Sequence, residues 1–305
     1  ELATRAFFWA TIGGGIYIAV LISSVFLFMG AGKLLGVSAA GATGLVILGS
    51  VVGVAGGLAM NFALAPFHLR KMLPPRAMED PMHRELIEKC FIDAGIKAPA
   101  IWIVDIERLR EGSVMIAGFP FGRGIFRMGL FISKSALDTL TDGELRAVTL
   151  HEVSHLRLKH LRKRLALSVL MIFSGLFIAI AALFATQYFF PASGAGTYLA
   201  YGIAAGVFLT TFRLLSQQSR IHELEADIHS IQVLDSKLED LSSALRRLDR
   251  MNSLDTLRAN PFKKIAGAGH PETELRIEIL KGYFAQKEMD PTISDVSSDD
   301  DQRAA

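Results

Sequence analysis

Four apolar stretches without a charged residue are the feature that most limits the fold of this 305-residue chain. A helix needs about 20 apolar residues to cross a bilayer, and each stretch is close to that length or longer. Hydrophobic residues make up 51% of the sequence, which is typical of a membrane protein. The sequence therefore predicts four transmembrane helices, which lie within residues 6–32, 41–67, 165–190 and 194–212.

The positive charges that flank these stretches predict the orientation. Lys and Arg cluster at residues 68–76, at 157–164 and at Arg213 and Arg220, whereas the turn at 191–197 has no charge. Because Lys and Arg collect on the cytoplasmic side, both termini and the segment 68–164 are expected to face the cytoplasm. The basic run 157–164 is interpreted as a topological anchor that contacts anionic headgroups. The net charge of +2 gives no argument for nucleic acid.

Two histidines on one predicted helix form part of a metal site. Thr141 and Glu144 have the spacing of a capping box, which marks the start of the helix. His151 and His155 lie four residues apart, so both imidazoles project from one face and can share a zinc ion. Glu152 lies beside the metal, where it can take the proton from a metal-bound water.

The third ligand is predicted to be a carboxylate on the same side of the membrane. Glu223 and Asp227 follow the fourth apolar stretch and are also four residues apart, so they share a helix face. We predict Glu223 as a zinc ligand and Asp227 as the acceptor of the second N–H of His151. Two intervening spans return the chain to its starting side. A solvated acidic face is the alternative interpretation of this pair, whereas His222 and His229 point away from the Glu223 face.

Three motifs in this order resemble the HtpX-type membrane zinc metallopeptidases, a family related to the CAAX prenyl endopeptidases and the Oma-type peptidases. They are "HEVSH" at 151–155, "ELEAD" at 223–227 and "HPETELR" at 270–276. The resemblance implies a cytoplasmic α+β zincin-like (gluzincin) metallopeptidase domain attached to four transmembrane helices. It also implies that His270 and Arg276 stabilise the oxyanion of the reaction. Without the resemblance, "HPETELR" is simply a helix N-terminus.

The resemblance implies an integral-membrane zinc endopeptidase of the bacterial inner membrane. Its expected role is stress response and quality control, in which it cleaves misfolded or damaged membrane proteins in their cytoplasmic regions without ATP. One alternative is a prenyl-peptide endopeptidase of the CAAX type. Another is a non-catalytic zinc-binding scaffold, although structural zinc usually has four protein ligands and only three good candidates are found. The chain departs from the family at Ile116, where Asn is usual.

The cytoplasmic segments are predicted to contain a small sheet beside the metal helix. We predict a helix ended by Gly95, an amphipathic helical stretch at 230–252 that packs on the metal helix, and a disordered tail at 290–305. An extended substrate could add a strand to an exposed edge of this sheet. Strands are predicted at 100–104, 113–119 and 125–133. The predicted organisation is transmembrane at 6–67 and 165–212, and catalytic at 68–164 and 213–289.

Overall fold

The chain divides into two compact units, each assembled from segments that are distant in the sequence. The first unit comprises residues 1–72, 118–127 and 163–215, and the second comprises 73–117, 128–162 and 216–305. The computed structural model describes residues 76–104, 114–117, 128–189, 195–256 and 272–289, together with isolated positions between 23 and 53. The predicted tail at 290–305 and nearly all of the predicted spans within 6–67 lie outside the described residues.

The second unit contains a mixed sheet with the strand order β1-β2-β4-β3. Strands β2 and β4 are parallel neighbours, whereas β1 and β3 pair antiparallel to them. Strand β3 therefore lies at one edge of the described sheet. The described residues confirm the three predicted strands, and β1 adds a short fourth. The strands are β1 Arg76–Ala77, β2 Ala100–Val104, β3 Val114–Ala117 and β4 Gly129–Ser133.

Helices make up most of the remaining described residues. Two of them, α4 and α5, extend from the second unit into the first. The helices are α1 Pro81–Asp93, α2 Lys134–Thr139, α3 Asp142–Arg157, α4 His160–Phe189, α5 Ala195–Gln232, α6 Leu238–Thr256 and α7 Thr273–Met289.

Helix α1 ends as the sequence predicts. Gly95 has a φ of +69°, a left-handed conformation that glycine adopts without a steric penalty. The N–H of Gly95 donates to the carbonyl of Ile92, and the N–H of Ile96 donates to that of Phe91, which together form a Schellman motif. This cap directs the chain from α1 toward β2. The core between helix and sheet is made by Ile87, Phe91, Leu130, Ile132, Leu150 and Val153.

The predicted capping box at the start of α3 is present. The Thr141 hydroxyl accepts from the Glu144 N–H at 3.3 Å, and the Glu144 carboxylate accepts from the Thr141 N–H at 2.8 Å. Glu144 also accepts from the Ser243 hydroxyl at 2.6 Å and from Arg247 Nε at 3.1 Å. The start of α3 is thereby tied to α6.

The predicted helical stretch at 230–252 is not one helix. Helix α5 ends at Gln232 and α6 begins at Leu238. Asp235 lies between them with a φ of +56°, a conformation that Asp tolerates better than most residues. The break turns α6 back onto α3, where Leu241 packs with Ala147. The predicted contact with the metal helix is therefore correct, although the continuity is wrong.

The first unit contains the apolar parts of α4 and α5. Helix α4 exposes a series of large apolar side chains. In the part of the chain that the structure describes, no helix combines the length and apolar character needed to cross a membrane. The exposed side chains that lie on one side of α4 are Val169, Leu170, Phe173 and Phe177.

Removing the Glu144 carboxylate is expected to weaken the anchorage of α3. Burial would raise the pKa of Glu144, but hydrogen bonds from Ser243 and Thr141 and the charge of Arg247 outweigh it and lower the pKa. We expect Glu144→Ala to decrease the free energy of unfolding by about 1–3 kcal/mol, because these donors lose their acceptor. Thermal unfolding of the full chain measures the change.

The same lowered pKa predicts a pH dependence. The stabilisation is fully present above the ordinary pKa of 4.5 and is lost as the pH falls through the lower folded-state value. The Glu144→Gln variant should lack this contribution to the acid sensitivity. If the unfolding midpoints of the wild type and of Glu144→Gln fell equally between pH 6 and pH 3, the assignment of this acid sensitivity to Glu144 would be contradicted.

Candidate metal centre

Helices α3 and α5 bring the three predicted ligands together. His151 Nε2 and His155 Nε2 lie 3.1 Å apart. Glu223 Oε2 is 3.5 Å from His151 Nε2, and Glu223 Oε1 is 3.6 Å from His155 Nε2. Donors that bind one zinc ion tetrahedrally at about 2.0–2.1 Å lie roughly 3.3 Å from one another. The donor types and the spacing of His151, His155 and Glu223, called the ligand triangle below, both fit zinc.

Asp227 holds the first of these histidines. Its Oδ1 lies 2.8 Å from His151 Nδ1, the ring nitrogen on the opposite side from the ligand triangle. Asp227 is completely buried, so its position is fixed by packing. A carboxylate in this position sets the tautomer and orientation of a metal-binding imidazole. The spatial relation predicted for His151 and Asp227 is therefore observed.

Arg276 approaches the same carboxylate from helix α7. Its Nε and Nη2 donate to the two oxygens of Asp227 at 2.9 and 2.8 Å. Its Nη1 lies 3.3 Å from Glu223 Oε2. Burial would lower the pKa of Arg276, but the charges of Asp227, Glu223 and Glu152 outweigh it and raise the pKa. Arg276 thus connects both predicted carboxylates and remains charged.

The pKa values of the two predicted ligand histidines are shifted in opposite directions. Burial alone would lower the pKa of His151, but Asp227 and Glu223 outweigh it and raise the pKa to about 10. Burial and the positive charge on His151 lower the pKa of His155 to about 2. A cation bound among the three donors would be attracted by the same two carboxylates, Asp227 and Glu223.

Glu152 lies next to the triangle and faces the edge of the sheet. Its Oε2 accepts a hydrogen bond from the Ile116 backbone N–H at 3.1 Å. Ile116 belongs to β3, so the carboxylate lies between the ligand histidines on α3 and the edge strand. The side chain of residue 116 takes no part in this contact. The departure from Asn at this position therefore leaves the backbone contact intact.

The other histidines considered in the sequence, His222, His229 and His270, are not part of the ligand triangle in the described residues. His270 lies outside the described residues. His229 is buried and pairs with the Ser154 hydroxyl at 3.0 Å, and His222 stacks on His160 with ring centroids 4.2 Å apart. Neither contributes a donor to the triangle.

Two further residues lie beside the site and are not predicted from the sequence. His160 Nδ1 lies 2.9 Å from His155 Nδ1, and Glu225 Oε2 lies 3.0 Å from His160 Nε2. His160 belongs to the basic run 157–164, which is predicted from the sequence to be a topological anchor. The i,i+3 spacing of His222 and Glu225 places an imidazole and a carboxylate on one helix face, which is a signal for Glu225 but not for His160.

Comparison with known proteins agrees with this geometry. The profile of peptidase family M48 matches residues 79–283. Protease HtpX homolog 2 of Methanosarcina acetivorans is 26% identical over 239 residues, which cover 69% of this chain and 74% of that protein. Protease HtpX homolog 1 of Sulfolobus acidocaldarius is 26% identical over 214 residues, covering 68% of this chain and 66% of that protein.

A solved structure has the same fold. The crystal structure of S. mikatae Ste24p matches with a TM-score of 0.66 at 17% identity, over 91% of this chain and 67% of that chain. The profile match covers strands β2 to β4, both ligand helices and Arg276. A zincin-like peptidase domain is thus common to the solved structure and this chain, which belongs to peptidase family M48 as an HtpX-type metallopeptidase.

Proposed function

We propose that the chain is an integral-membrane, zinc-dependent endopeptidase in which His151, His155 and Glu223 hold the metal. The observation that carries this proposal is the close grouping of their donor atoms. The two imidazole Nε2 atoms lie 3.1 Å apart, and each lies 3.5 or 3.6 Å from one of the two carboxylate oxygens of Glu223. Two imidazoles and one carboxylate form a set that leaves a coordination position for water or substrate, as catalytic zinc sites do. When bound, zinc supplies polarisation of the scissile carbonyl and acidification of water.

Glu152 is the general base in this proposal. It lies on the same helix as the two histidines without being a member of the ligand triangle. Its carboxylate takes the proton of the attacking water and then delivers it to the leaving amine. The hydrogen bond from the Ile116 N–H orients the carboxylate toward the edge strand, where the substrate is proposed to lie.

The substrate is proposed to be an extended polypeptide that adds a strand beside β3. An edge strand offers backbone N–H and C=O groups to such a peptide. Met115 on this strand is 40% exposed and can contact a substrate side chain. Recognition by backbone groups gives broad sequence tolerance and favours unfolded segments. These are the properties that quality control of damaged proteins requires.

Arg276 and His270 are proposed to stabilise the oxyanion that develops on the scissile carbonyl. The family resemblance suggests this role for both residues. The proximity of the Arg276 guanidinium to Glu223 supports it for Arg276, because a fixed positive charge beside the metal ligands stabilises developing negative charge. The same guanidinium orients Asp227.

Membrane integration is supported by the sequence and by the surface of α4. The four charge-free stretches have the length of bilayer spans, and α4 exposes Val169, Leu170, Phe173 and Phe177 on one side. A contiguous apolar surface of this kind fits a lipid environment. We therefore propose a multi-pass protein of the bacterial inner membrane whose catalytic segments face the cytoplasm and cleave damaged membrane proteins.

Chelation tests the proposed chemistry. The full chain in detergent should cleave an unfolded polypeptide, lose the activity with 1,10-phenanthroline, and recover it with stoichiometric zinc. The same polypeptide in its folded state serves as the control and should resist cleavage. Activity that persists without metal would contradict the zinc mechanism, and cleavage confined to farnesylated peptides would contradict the substrate class.

Thiol labelling tests the proposed orientation. The single native cysteine, Cys90, is buried and burial raises its pKa to about 11, so its background reactivity is low. In intact spheroplasts, a membrane-impermeant maleimide should label Ser193→Cys but not Glu239→Cys. After lysis it should label both. The reverse pattern would contradict the orientation.

A further inference from the structure

A break between α3 and α4 brings a third histidine next to the proposed zinc ligands. His160 follows His155 by five residues, and on a continuous helix two such residues point about 140° apart. Helix α3 ends at Arg157, and Lys159 has a φ of +56°. A non-glycine residue pays a penalty of roughly 1 kcal/mol or more for this conformation. In return, His160 Nδ1 lies 2.9 Å from His155 Nδ1.

The His160 ring is fixed on its other sides as well. Its Nε2 lies 3.0 Å from Glu225 Oε2, and its plane stacks on His222 with an interplanar angle of 6°. His222 in turn accepts a hydrogen bond at its Nε2 from the Gln218 side-chain amide at 2.8 Å. His160 is 3% exposed. Such an ordered imidazole can hold a neighbouring ring in one orientation.

We propose that His160 and Glu225 are positioning residues for the zinc ligand His155. In this arrangement the Nδ1–H of His155 donates to His160 Nδ1, and the negative charge of Glu225, 3.0 Å from His160 Nε2, favours the tautomer of His160 that carries its proton on Nε2. His155 Nε2 is then left without its proton and directed at the metal. The arrangement parallels the one in which Asp227 holds His151, so that each ligand histidine has its own carboxylate. This inference rests on the proposed zinc site.

The same residues could be considered as a second metal site, because donor atoms of His160, His222 and Glu225 lie within 4.8 Å of one another. The stacking argues against it. Imidazole lone pairs lie in the ring plane, so two nearly parallel stacked rings direct their lone pairs within two separate parallel planes, which do not meet at one ion. The close contact of His160 with His155 instead connects the cluster to the proposed catalytic metal.

Zinc affinity of the full chain in detergent, measured by competition with a chromophoric chelator, tests the proposal. Outer-sphere partners of metal ligands affect metal affinity by about 10–100-fold. We expect losses in that range for Glu225→Leu and for His160→Phe, which keeps the stacking on His222. Glu225→Gln should recover part of the loss, because its amide oxygen still accepts from His160. The cobalt(II) absorption spectrum of the two weakened variants should shift.

His222→Phe is the matched control, since it preserves the aromatic stack but is not in the hydrogen-bonded chain. It should bind zinc as the wild type does. Unchanged zinc affinity and cobalt spectra for Glu225→Leu and His160→Phe would overturn the positioning role while leaving the proposed function intact. Two zinc ions per wild-type chain, one of them lost in His222→Phe, would also overturn it. A wild-type chain that binds no zinc would overturn the proposed function itself.

Discussion

Replacement of Glu152 by glutamine should reduce the rate of peptide hydrolysis by about 10²–10⁴-fold, the usual contribution of a general acid–base group. Glutamine has nearly the same shape as glutamate but cannot accept a proton from water at neutral pH. The amide oxygen can still accept the hydrogen bond that the Ile116 N–H donates to Glu152. The fold and the approach of the edge strand should therefore be preserved. The rate of cleavage of an unfolded polypeptide measures the effect.

Zinc content separates the catalytic role of Glu152 from a ligand role. The Glu152→Gln protein should retain one zinc ion per chain and the wild-type unfolding midpoint, because Glu152 does not belong to the donor triangle. Glu85→Gln removes an exposed carboxylate from α1 and should cleave at the wild-type rate. Equal cleavage by the wild type and Glu152→Gln would exclude Glu152 from the mechanism. It would also favour a non-catalytic role for the metal.

The proposed ligands could be found in the sequence because their geometry is local. His151 and His155 share a face of one helix, and Glu223 and Asp227 share a face of another, so a four-residue spacing is sufficient to pair them. The start of α3 was likewise predictable, since the capping box requires only Thr141 and the residue three positions later. Helical periodicity carries this information without reference to the rest of the fold.

The remaining contacts depend on backbone breaks and distant partners. The approach of His160 to His155 requires the left-handed conformation of Lys159. A lysine in the sequence does not predict this conformation. The end of α5 depends in the same way on Asp235. The contact of Glu152 with Ile116 joins residues 36 positions apart through a backbone N–H, so no side-chain pattern reveals it. The family resemblance located Arg276 near the metal but did not identify its partner.

Replacement of Arg276 by methionine is expected to have the largest effect on stability. Arg276 is 5% exposed and forms a two-bond pair with Asp227, which is 0% exposed. Methionine fills much of the same volume but leaves the Asp227 carboxylate buried without its cation. Removing one partner of a buried pair costs about 3–5 kcal/mol. The unfolding midpoint of the full chain should therefore fall, and zinc affinity should fall with it because Asp227 orients His151.

Arg246 offers a matched control for this substitution. It forms the same two-bond geometry with Glu274, at 2.8 and 2.9 Å, but on the surface of the second unit. Arg246→Met should change stability little, because water solvates the carboxylate that remains. The two variants thus differ in burial and not in hydrogen-bond geometry. Equal effects of the two substitutions would contradict the assignment of the destabilisation to an unpaired buried charge.

A double substitution identifies the source of the loss in Arg276→Met. If the uncompensated charge of Asp227 is responsible, then Asp227→Asn should recover part of the stability in the Arg276→Met background, although it removes the carboxylate beside His151. Zinc affinity should not recover, because an amide is a weaker acceptor for the His151 N–H. Stability would then depend on whether the buried charge at residue 227 is neutralised, and zinc affinity on whether residue 227 is a carboxylate. This result would separate the neutralisation of Asp227 by Arg276 from the orientation of Asp227 beside His151. Recovery of both properties together would contradict the role of Asp227 in orienting His151.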